Sequence, residues 1–152
     1  MNSQDLFRTY AENAQAFLIA AREISAGSLS HAPNAGEWSA AYVIHHMADA
    51  ELQFGVRYAN LLSEDIPDIV PFDEAKFPDG LNYGLRSVTH SLAAFEATNN
   101  MNCEILRNVS PDGWNRVTLH PARGLISLTE LVTLCGNHIG NHIPQLRAAS
   151  TS

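Results

Sequence analysis

A chain of 152 residues, 45% of them hydrophobic, is sized for one domain built round one core. Nine basic residues against sixteen acidic ones leave a net charge of -7, and the basic residues are scattered, whereas a nucleic-acid surface needs them clustered. No apolar run approaches the ~20 residues that span a bilayer, the N-terminus lacks a basic-then-apolar signal pattern, and Cys103 and Cys135 form no CxxC motif, so the expectation is a single cytoplasmic domain over residues 1–152 that binds neither nucleic acid nor membrane.

The first predicted helix runs from about Ser3 to Ile24, with Leu6, Tyr10, Ala14, Phe17 and Ala21 recurring at helical spacing. The glycines and prolines of "SAGSLSHAPNAGEW" end it. The second starts at Ser39, a suitable N-cap, with Trp38 and Val43 placed as a hydrophobic staple, and reaches about Leu62. Ser63–Gly80 is an 18-residue connection with three prolines that reads as irregular. A third helix is predicted over about Leu81 to Val109. The segment after it is irregular, extended at Val117–Leu119, and His120-Pro121 and Gly124 shape the turn into the last helix. "SLTE", Ser127 to Glu130, is a capping box that opens the fourth helix, with Ile126 and Leu131 as a second staple. That helix is expected to reach about Arg147, with a kink or an early end at Pro144. Four helices of this length in one small chain imply an all-α four-helix bundle.

Seven histidines are the compositional oddity. In "CGNHIGNHIPQL", His138 and His142 are four apart and share a face with Leu131, Leu134 and Cys135. Two imidazoles so spaced on an inward face can grip one ion; the same pair also suits two satisfied histidines near a helix end. On the second helix His46 lies on the apolar stripe with Val43, Ala50 and Phe54, while His45 falls about 100° round and reads as a rim or surface residue. His31, His90 and His120 read as surface residues. His46 lies roughly 10 Å along its helix, and the His138–His142 pair roughly 10 Å from the end of the fourth. The three rings meet at one level only if those two helices are antiparallel. The second and third helices must then run the same way, joined by a crossover, and the 18-residue connection can stretch to roughly 60 Å against a helix of about 36 Å.

Three imidazoles with open coordination positions form a catalytic rather than a closed metal site. A carboxylate-rich di-iron site is disfavoured because no Glu has a His three residues on. Imidazole suits Zn²⁺ and Ni²⁺ alike. Asp49, three residues from His46, and Gln145, three from His142, are candidates to hydrogen-bond the ligating rings. Cys135 reads as a small core residue.

"GEWSAAYVIHHMADAE", "HPARGLISLTELV" and "NHIGNHIPQL" together resemble the DinB-like superfamily, in particular its DinB_2 branch, and the resemblance covers nearly the whole chain. It implies an up-down-down-up four-helix bundle, a divalent metal on His46, His138 and His142, and a homodimer. It further implies a thiol-dependent S-transferase acting on small electrophiles with a low-molecular-weight thiol as cosubstrate. The alternatives are a metal-dependent hydrolase and a non-catalytic bundle that binds a metal or small molecule. No separate protein nucleophile stands out, so the ion would carry the chemistry.

Overall fold

In the computed structural model, which describes residues 2–151, Asn2 opens the first helix by accepting a hydrogen bond from the Asp5 N–H at 2.8 Å. Helix α1 (Ser3–Arg22) buries Leu6, Tyr10, Ala14, Phe17 and Ala21, the residues that carry its periodicity. Ser39 caps α2 (Ala40–Ser63) by accepting from the Tyr42 N–H at 3.3 Å. A single helical turn, α3 (Phe77–Gly80), lies within the connection that follows. Ser87 caps α4 (Val88–Arg107), and α5 (Leu128–Ser150) starts from the complete Ser127–Glu130 capping box. Each cap satisfies an otherwise orphaned backbone donor, a contribution of about 1 kcal/mol.

Two boundaries differ from the sequence expectation. The third long helix begins at Val88, not near Leu81, because Asn82 takes a φ of 50° and the chain turns through Tyr83–Leu85 first. A left-handed residue cannot continue a right-handed helix. At the other end of the chain α5 passes through Pro144 to Ser150. Proline removes one backbone hydrogen bond there, but Leu146 and Ala149 beyond it are buried, and that packing holds the last turns.

The extended stretch before α5 is a hairpin. Strand β1 (Val117–His120) pairs antiparallel with β2 (Gly124–Ser127), Val117 opposite Ser127 and His120 opposite Gly124. Gly124 closes the turn at φ 73°, where a side chain would be strained. β1 also holds the crossover. Its Leu119 N–H donates to the Pro67 carbonyl and its Leu119 carbonyl accepts from the Ile69 N–H, both at 2.9 Å, while the Thr118 hydroxyl donates to Pro67 at 2.6 Å.

The bundle is up-down-down-up. α1 packs chiefly along α5 and α2 along α4, each pair parallel, with α2 also meeting α5 in antiparallel sense. Tyr10, Phe17, Ile44, Met47, Tyr58, Phe95, Leu131 and Ile139 are fully buried between them, each side chain contributing roughly 1.5–3 kcal/mol. The Glu51 carboxylate is fully buried in this core. Glu51 Oε1 accepts from the Tyr10 hydroxyl, from Asn99 at 3.0 Å and from Asn102 at 2.9 Å, tying α1, α2 and α4 together. Burial pushes its carboxyl pKa up, and the three donors oppose the shift.

Candidate metal centre

The antiparallel contact of α2 with α5 sets the level at which their inward faces meet. His46, two turns into α2, is fully buried there. His138 and His142, one turn apart on α5, stand opposite it. The ring centroids lie 5.1 Å (His46–His138), 4.7 Å (His46–His142) and 4.5 Å (His138–His142) apart. One nitrogen from each ring lies within 4.8 Å of the other two.

Electrostatics favour lone pairs at this point. Burial, then the neighbouring His142 and His138, push His46 down to about 3. Burial, His142 and Arg57 push His138 down to about 4. Burial also lowers His142, although Gln145 and Glu74 oppose it. All three rings are therefore neutral at pH 7, the form in which imidazole ligates. The Nε2 atoms of His46 and His138 approach to 3.0 Å. Two donors each about 2.05 Å from a tetrahedral Zn²⁺ would stand about 3.3 Å apart, so the spacing fits a shared ion.

Gln145 acts on His142 as its spacing suggests. Its Oε1 lies 2.6 Å from His142 Nδ1; the ring therefore donates from Nδ1 and keeps its Nε2 lone pair free. Asp49 departs from expectation. Its carboxylate accepts from both terminal guanidinium nitrogens of Arg86, at 2.7 and 2.8 Å, and from the Tyr83 hydroxyl at 2.6 Å, and among the described residues it hydrogen-bonds no histidine. A bidentate arginine is the stronger partner for a carboxylate. His46 Nδ1 is buried with no partner among the described residues, and the ring is held by packing against Trp38, centroids 5.1 Å apart. His45, expected at the rim, is fully buried, its Nδ1 2.8 Å from the Ser91 hydroxyl and its ring 5.2 Å from that of Tyr83. The turn at Tyr83 covers that side of α2, which the bundle periodicity alone leaves open.

The crossover supplies what sequence reasoning missed. Asp73 caps a short turn over Glu74–Lys76, and this turn brings Glu74 Oε2 to 3.5 Å from His46 Nε2. The Asp-Glu-Ala run was the available signal, an Asx-type turn in a segment without periodicity. Glu74 divides two clefts. One, about 460 Å³, is lined by Phe54, Arg57, Phe72, His120, Arg123 and His138. The other, about 600 Å³, is lined by Glu37, Trp38, His142 and Gln145.

Comparison with known proteins shows the family to which the chain belongs. The DinB superfamily profile matches residues 9–146. A protein of Oceanobacillus iheyensis, provisionally named a metal-dependent hydrolase, is 31% identical over 111 residues, covering 73% of this chain and 64% of the relative. YfiT of Bacillus subtilis, which carries the same provisional name, is 26% identical over 116 residues, covering 76% of this chain and 65% of its own. The chain thus spans just under two thirds of these relatives. The solved structure of YfiT, described as an unusual four-helix bundle topology, superposes with a TM-score of 0.81 at 22% identity, over 95% of this chain and 85% of that one.

Proposed function

This chain belongs to the DinB superfamily, and from that premise we propose that it is a divalent-metal-dependent hydrolase of small molecules with His46, His138 and His142 as the metal ligands. The convergence of three neutral imidazole nitrogens from two helices, all within 4.8 Å, carries the reading. The provisional names of the relatives support hydrolysis above the thiol transfer expected from sequence. When bound, a Zn²⁺ or Ni²⁺ ion supplies the Lewis acidity that polarises a carbonyl or phosphoryl oxygen and acidifies water.

The chain's own residues hold and orient. Gln145 fixes the His142 ring so that Nε2 faces the cluster. Trp38 and Phe54 pack on His46 and His138 and keep bulk water from their backs. Glu74, half-exposed and 3.5 Å from His46 Nε2, takes the proton that an attacking water gives up and returns it to the leaving group. One observation keeps thiol transfer as a second reading. Two clefts meet at Glu74, room for a thiol on one side and an electrophile on the other.

Metal titration and hydrolysis assays on tag-free protein test the reading. Zn²⁺ and Ni²⁺ are expected to bind one per chain, to be lost in His46→Ala, His138→Ala and His142→Ala, and to be kept in His90→Ala, a change at an exposed residue. The loaded protein is expected to hydrolyse members of a small ester and amide panel without added thiol. A protein that binds no metal sinks the reading, and activity that appears only with a thiol moves it to transfer.

A further inference from the structure

The cleft on the His138 side has a polarity that the hydrolase reading leaves unused. Of the nine basic residues in this acidic chain, Arg57 and Arg123 line this one cleft. Among the described residues neither guanidinium forms an ion pair or a hydrogen bond. Arg57 is the more committed of the two. It lies on α2, its Cζ 5.3 Å from the centre of the Phe72 ring, and its Nε is buried with no partner. A buried donor left unsatisfied costs roughly 1–3 kcal/mol, so such a group marks a place where a ligand is expected to complete the bonding.

His120 adds a third donor. The Ala122 N–H donates to its Nδ1 at 3.1 Å, which leaves the ring proton on Nε2. Both guanidiniums act on this ring, which after its own burial is lowered chiefly by Arg123 and then by Arg57. Arg57, His120 and Arg123 line the same cleft. Phe54, Phe72, Leu131 and Leu134 give that cleft an apolar lining. His138 and Glu74 also line it, so a molecule seated here reaches the histidine cluster with its other end.

We propose that this cleft is a subsite for the anionic group, a carboxylate or a phosphate, of a small substrate with an apolar body, held by Arg57, Arg123 and His120. Guanidinium geometry matches both anions. About 460 Å³ admits a molecule of roughly drug-fragment size and no polymer. Calling the ligand a substrate rests on the hydrolase reading above, whereas its binding does not.

Calorimetric titration of metal-free, chelator-dialysed protein separates the two. Benzoate and phenylphosphonate represent the two anions, and benzyl alcohol is the neutral counterpart. At least one anion is expected to bind at least tenfold tighter than the alcohol, and which one names the charged group. Arg57→Met and Arg123→Met are each expected to weaken it at least tenfold, while Arg57→Lys loses less. For the unaltered protein, raising salt from about 0.05 to 0.5 M should weaken the anion and leave the alcohol unchanged, a readout that needs no variant to fold. Anions that bind no tighter than benzyl alcohol, or with the same affinity to both methionine variants, overturn the subsite. Zn²⁺ titration of the same samples reports on the metal reading separately: anion binding without metal binding sinks the hydrolase, and metal binding without anion preference sinks only the subsite.

Discussion

Acidifying the metal-free protein should destabilise it through its histidine cluster. Burial holds His46 at about 3 against an ordinary 6.5, and His138 at about 4. Above pH 6.5 each ring is neutral whether the chain is folded or not, and neither affects stability. Below 6.5 the unfolded chain takes up protons that the folded chain refuses, so stability falls as pH falls, down to the folded values. At pH 5 the unfolded state gains a factor of about 30 from His46 alone, about 2 kcal/mol, and His138 contributes a similar amount. Urea denaturation in chelator at pH 7.5 and 5.0, for the wild type and for His46→Ala, measures this. Glu51 titrates with opposite sign, since burial raises it, but it is present in both proteins and cancels in the difference. The wild type is expected to lose at least about 2 kcal/mol more than the variant on acidification. Equal losses would refute the claim that His46 is buried as a neutral ring.

Gln145→Ala should weaken metal affinity about 10- to 100-fold by freeing the His142 ring, read by competition with a chromogenic chelator. Glu74→Gln should leave that affinity within a few-fold and cut hydrolytic kcat by about 10²–10⁴. Glu51→Leu should cost about 3 kcal/mol or more by stranding Tyr10, Asn99 and Asn102, whereas Glu51→Gln keeps one acceptor and should cost about 1 kcal/mol or less, both by urea denaturation. Ile66, exposed at φ 46°, holds a β-branched side chain in left-handed backbone; Ile66→Asn should raise stability by about 1 kcal/mol, seen as a higher Tm.

The fold was readable because its determinants are periodic or local. The stripe from Leu6 to Ala21, the Ser39 cap and the Ser127–Glu130 box each act within one helix, and the structure places helices there. The level argument for His46, His138 and His142 needed only helix rise and the length of one connection, and the three rings do stand together. What stayed hidden depends on tertiary contact. Asp49 is three residues from His46, yet its partner Arg86 comes from beyond the crossover. His45 is off the bundle stripe, yet the turn at Tyr83 and Ser91 of α4 enclose it. Glu74 and Arg57 gained meaning only once the crossover folded back over α2.

That crossover exists because two neighbouring rods run the same way, and the chain must travel the length of the bundle to restart. Since Pro67 and Ile69 are stitched to Leu119, the returning strap lies in a fixed path across the open face rather than swinging free. Phe72 and Glu74 ride on it, whereas the three imidazoles belong to the rods. On the proposed metal-binding reading, replacing the strap would therefore alter what the molecule admits without disturbing what the imidazoles hold, so selectivity and ion capture could diversify separately.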